Sequence, residues 1–86
     1  MSKQRNRASK LGALEQSAIY RRRKAGESRI ALAAEFGVTD TTIDNIVARV
    51  ANEILSLARG GRSAEYIAGF FRLEQPLVEA ALQESP

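Results

Sequence analysis

From Leu11 onward the apolar residues of this chain recur at helical rather than strand spacing. Leu14, Ala18 and Ile19 predict a first helix over about residues 12–25. The run Arg21-Arg22-Arg23-Lys24, followed by Gly26, suits its C-terminus, where cations meet the negative end of the helix dipole. Ser28 is a natural N-cap, because its hydroxyl accepts from first-turn N–H groups that lack helical partners. Ile30, Ala33 and Ala34 predict a second helix up to Phe36, and Gly37 ends it in a left-handed turn that glycine adopts at least cost. Val38 plugs that turn, Thr39 caps a third helix, and Ile43, Ile46, Val47 and Val50 mark its inner face. Ile54, Leu57 and Ala58 keep the same spacing. Residues 40–58 are therefore one helix of about 28 Å, at 1.5 Å per residue, or two helices bent near Ala51-Asn52. Gly60-Gly61 closes the segment. Ser63 caps a fourth helix carrying Ile67, Ala68, Phe70 and Phe71. After Leu73 a last helix, with Pro76 in its first turn, bears Leu77, Val78, Ala81 and Leu82.

The sequence also repeats itself. An offset of 35 residues aligns Ile19 with Ile54, Gly26 with Gly61, Ser28 with Ser63, Ala33 with Ala68 and Phe36 with Phe71. Val38 with Leu73, Ile43 with Val78 and Val47 with Leu82 are similar pairs. The matches fall on caps, turns and core positions, which predicts a tandem duplication. The expected fold is all-α: two trihelical units, 11–50 and 51–86, packed on a shared core and joined through the long 40–58 segment. Residues 1–10 are polar, basic and without periodicity, and read as a flexible arm.

Composition narrows the chemistry. An 86-residue chain fits one domain or two very small ones sharing a core. It has no Cys and no His, which removes disulfides, thiolate or imidazole metal ligands and the usual nucleophile–base relays. No catalytic constellation is visible, so neither enzyme activity nor a cofactor or metal is expected. Net charge is +3, but residues 1–29 carry +7 and residues 30–86 carry −4. A basic end suited to polyphosphate is thus joined to an acidic one, and two surfaces with different partners follow. No apolar run reaches membrane-spanning length and the N-terminus lacks a signal-peptide segment. The expectation is a cytoplasmic protein, at the nucleoid, with no membrane partner.

The segment Gly26 to Arg49, through Ser28, Ile30, Ala33, Phe36-Gly37-Val38, Thr39, Thr42-Ile43 and Ile46, resembles the helix-turn-helix of DNA-binding proteins. It is most similar to the homeodomain-like trihelical kind found in recombinases, transposases and small phage and bacterial regulators. With the preceding helix, the resemblance covers about residues 12–50. It implies two helices crossing steeply, with Ala33 at their close approach and Ile30, Val38, Ile43 and Ile46 filling the corner. It also implies that the third helix enters the major groove, presenting Asp40, Thr41, Asp44, Asn45 and Ala48 outward, with Arg49 near its end. Asn45 then suits an adenine edge, Thr41 a base or phosphate, and Asp40 and Asp44 a cytosine amino group. Asp40 and Asp44 depart from the family, which usually has basic or neutral polar groups there. Arg22 departs too, at a usually apolar position that Leu57 holds in the second copy. Expected phosphate contacts are Arg21, Arg22, Arg23, Lys24, Arg29 and Arg49, with Lys3, Arg5, Arg7 and Lys10 forming an arm like those that enter minor grooves.

The second copy keeps the fold signals and loses the DNA signals. Arg72 stands in place of the turn glycine, and Glu74, Gln75, Glu79, Gln83 and Glu84 give its last helix an acidic face. That copy is expected to serve dimerisation or a protein partner through Phe70, Leu73 and Leu77, with one of Phe70 and Phe71 left at the surface. The reading is a small DNA-binding transcriptional regulator. The alternative is an interaction protein, encoded by a phage or mobile element, that acts on RNA polymerase or another regulator without a DNA target of its own.

Overall fold

Side-chain hydroxyls of Ser28, Thr39 and Ser63 cap the starts of three helices of the chain. The computed structural model describes residues 11–84. They form α1 (Ala13–Lys24), α2 (Arg29–Phe36), α3 (Asp40–Arg59), α4 (Ala64–Phe71) and α5 (Gln75–Glu84), with no strand among the described residues. The fold is all-α. At α1 the Glu15 carboxylate accepts from the Gly12 N–H at 3.0 Å. The Ser28 hydroxyl accepts from Ile30 N and Ala31 N, that of Thr39 from Thr42 N, and that of Ser63 from Tyr66 N. Each oxygen satisfies donors that the first turn leaves free.

The 35-residue repeat extends to the backbone hydrogen bonds. Glu27 N donates to Arg22 O and Arg62 N to Leu57 O, each at 3.0 Å. Val38 N donates to Ala33 O (3.0 Å) and Leu73 N to Ala68 O (2.8 Å), closing α2 and α4 alike. The left-handed residues that permit those closures are Gly37 at φ 73° and Arg72 at φ 58°. The second copy thus keeps the turn and gives up the glycine, accepting crowding at Arg72 Cβ.

Residues 40–59 are one helix without a break, so the boundary expected at 50/51 falls inside α3. Its first half plays the part that α5 plays in the second repeat, and its second half the part of α1. One face of α3, formed by Ile43, Ile46, Val50 and Ile54, is buried along its whole length. It meets Ile19 and Tyr20 of α1, Leu32 and Ala33 of α2, Ile67, Ala68 and Phe71 of α4, and Val78 and Ala81 of α5 in a single core. The molecule measures 44 × 23 × 21 Å.

Several expected core positions move. Ile30 is 67% exposed, and Leu32, fully buried, fills the corner instead. Position 30 lies in the first turn of α2, and its counterpart is the exposed Glu65. Leu14 is also mostly exposed. Tyr20 is wholly buried although it stands next to the arginine run. Leu73, expected at a partner surface, is only 7% exposed, because as the counterpart of Val38 it plugs the turn after α4. Leu77 is half-buried, which leaves Phe70 as the exposed member of that set.

Candidate nucleic-acid interface

The outward side of α3 is built by helical phase. With Ile43, Ile46 and Val50 turned to the core, Thr41, Asn45 and Ala48 fall on the opposite line, and all three are exposed. Asp44 and Arg49 border that strip, one on each side, and are exposed as well.

The neighbouring charges arrange themselves around this strip. Arg29, in the first turn of α2, hydrogen-bonds the Asp44 carboxylate through Nη1, and its Nη2 lies 4.0 Å from Asp40 Oδ2. A single guanidinium therefore answers both carboxylates that depart from the expected pattern. Arg23 and Lys24, at the end of α1, share a shallow depression with Asp44 and Val47. Arg49 lines another, with Gln16 and Ser17 of α1 and Glu53. The basic end of α1 and the exposed strip of α3 thus adjoin.

Not all of the basic run is available. Arg22 is clamped by two carboxylates: Nη1 and Nη2 each donate to a Glu35 oxygen at 2.8 Å, while Nε and Nη2 donate to Glu27 at 2.9–3.1 Å. Its guanidinium also lies 6.0 Å from the Phe36 ring centroid. The paired carboxylates hold Arg22 firmly charged, and the Arg22 hydrogen bonds hold the Glu35 carboxyl below the usual carboxylate range. Arg22 is therefore an internal tie between α1, the α1–α2 turn and α2, not a free phosphate ligand as expected. Its partners Glu27 and Glu35 were not singled out by sequence reasoning. The signal lay in the repeat, where Arg22, Glu27 and Glu35 change together to Leu57, Arg62 and Phe70.

Arg29 likewise divides its charge between Asp40 and Asp44, and Lys24 Nζ lies 3.2 Å from Glu84 of α5. Arg23 donates to the Glu27 carbonyl at 3.2 Å, which leaves part of its guanidinium open. Arg21 and Arg49 make no ion pair among the described residues. Lys3, Arg5, Arg7 and Lys10 lie outside the described residues.

No group of side chains that could hold a metal ion occurs among the described residues, and no helix there is long and apolar enough to cross a membrane. Comparison with known proteins finds no matching family model, no matching curated protein and no matching solved structure.

Proposed function

We propose that this chain is a small DNA-binding regulator of the helix-turn-helix type. In this reading α3 enters the major groove through Thr41 and Asn45. Arg21, Arg23, Lys24 and Arg49, with the basic residues at 3, 5, 7 and 10, hold phosphates. The second repeat supplies assembly or a partner surface. One observation carries the reading. Arg29 neutralises Asp44 at the flank of the strip, so Thr41 and Asn45 face outward without the unpaired negative charge that a duplex would repel. Asn45 then has the donor and acceptor needed for an adenine edge.

Fluorescence polarisation of the full chain against a random-sequence duplex pool, over a salt series, tests this. Log affinity falls against log salt by about 0.9 per phosphate neutralised, so Arg21, Arg23, Lys24 and Arg49 alone give a slope of about −3.6 and all eight basic residues one of about −7. The double reversal Arg21→Glu with Arg23→Glu weakens all sequences alike and flattens the slope. Asn45→Ala leaves non-specific affinity in place and relaxes the selected sequence. Absence of duplex binding at low salt rejects the proposal. The alternative, an interaction protein without a DNA target, is favoured by the internal use of Arg22 and by the aromatic face of α4. It predicts that none of these substitutions changes activity.

A further inference from the structure

The end of the last helix closes on the basic end of the first. Val78 and Ala81 of α5 turn to the core, and Glu84, three residues further, borders their face. Tyr20 of α1 is buried, and Lys24 stands one turn beyond it on the same side. Lys24 Nζ lies 3.2 Å from Glu84 Oε1 and 5.6 Å from the Tyr20 ring centroid. The ammonium is held between a carboxylate and a ring, although Lys24 also lines the depression it shares with Arg23, Asp44 and Val47 beside the outward strip of α3. The acidic end of the second repeat thus reaches the basic end of the first.

The repeat does not require this contact. Arg59 is the counterpart of Lys24 at the end of α3, and it is exposed and in no ion pair among the described residues. Arg49 is the counterpart of Glu84 and carries the opposite sign. The pair joins positions 60 residues apart, and both side chains still meet solvent, Lys24 at 33% and Glu84 at 62%. Rotation of two long side chains is enough to part them, with no movement of either helix.

We propose that Glu84 is an autoinhibitory stand-in for a DNA phosphate. In the free chain its carboxylate occupies Lys24, and a duplex must take the lysine from it. The inference rests on the DNA-binding reading above and adds a brake to it. Displacement leaves Glu84 unpaired close to phosphates, which repel it. The freed carboxylate also attracts a cation, offsetting the counterion that Lys24 releases from the duplex. Lys24 therefore adds little to affinity or to its salt dependence while Glu84 is in place. The effect belongs to the position of Glu84 and not to the net charge of α5.

Fluorescence polarisation of the full chain against the random-sequence duplex pool, over a salt series, decides it. The proteins are wild type, Glu84→Gln, Glu79→Gln, Lys24→Gln and the double variant Lys24→Gln with Glu84→Gln. Glu79→Gln removes the same charge from α5 at an exposed site about 140° round the helix from Glu84. Glu84→Gln should tighten binding about two- to fivefold at low salt, the strength of an exposed ion pair. It should also steepen the salt slope by up to about 0.9, one phosphate contact. Glu79→Gln should give a smaller gain and leave the slope in place. With Lys24→Gln already present, the gain from Glu84→Gln should shrink to that of Glu79→Gln. Equal gains from Glu84→Gln and Glu79→Gln overturn the inference, as does a Glu84→Gln gain that survives Lys24→Gln, and either result leaves the DNA proposal standing. If neither wild type nor Glu84→Gln binds any duplex at low salt, the DNA proposal falls and the inference falls with it.

Discussion

Two residues show what single side chains contribute here. Gly37 and Arg72 occupy the same left-handed position in the two repeats, one with no Cβ and one with it. Gly37→Ala should cost about 1–2 kcal/mol, the crowding that an L side chain meets there. Arg72→Gly should gain roughly 0.5 kcal/mol, the relief of that crowding less the greater freedom of the unfolded chain. Urea unfolding of both variants, at concentrations where the chain is monomeric, measures the pair. Tyr20 is the second case. Its hydroxyl is buried with no hydrogen-bond partner among the described residues. Burial, and then the nearby Glu84 carboxylate, push its phenol pKa above the ordinary value. Tyr20→Phe should therefore stabilise the fold by about 1 kcal/mol, since it removes an unpaired polar group and keeps the ring. A raised folded pKa gives stability that is intact below about pH 10 and lost as pH rises through the folded value. The phenylalanine variant should lack that alkaline loss in a thermal melt followed by circular dichroism. A Tyr20→Phe variant less stable than the parent would mean the hydroxyl has a partner.

At the scale of the element, the Arg22 clamp joins α1 to α2 from outside the core. Because Arg22 holds the Glu35 carboxyl below the usual range, the tie contributes stability above the unfolded pKa of a glutamate, about 4.3, and loses it as pH falls through the lower folded value. Glu35→Gln should be less stable than the parent at pH 7, with the difference closing in acid and shrinking in high salt. Equal stability at pH 7 would make the clamp decorative. The helices themselves were legible in the chain, because Ser28, Thr39, Ser63 and the glycines are local signals that act within four residues. Helices α2, α3 and α4 each begin at the residue after the serine or threonine expected to cap them. What escaped was which face each short helix turns inward. An eight-residue helix such as α2 offers about two turns, and Ile30 and Leu32 compete for one corner that only α1 and α3 together define. The charge partners escaped for the same reason: Arg22 with Glu35, and Arg29 with Asp44, join different helices across 13 and 15 residues of sequence. The strip of Thr41 and Asn45 was readable from phase alone, while the state of the arginines beside it was not.

For the whole molecule, the continuous α3 means that the two repeats cannot melt apart. Ile54 belongs to the second repeat by sequence, yet Phe71 beside it in the core also borders Ala13 and Ser17 of α1. Ile54→Ala should cost about 2–5 kcal/mol, a large part of the total stability expected of so short a chain. Calorimetry should show one transition displaced downward, not a second transition split from it. Two resolved transitions would show that the repeats are separable. A polypeptide cut after Ala58 should likewise lose cooperative folding, because the Ile54 face is then uncovered. The shared helix also carries angular information from one end of the molecule to the other. Each residue turns the helix by about 100°, so one residue inserted at Asn52 would rotate the Thr41–Asn45 strip nearly a third of a revolution against the aromatic face of α4. Length can change in the turns at 25–28 and 60–63 without disturbing that bearing. Within α3 it cannot, and the relative heading of the two working surfaces is therefore a count of residues, written into the chain as an integer.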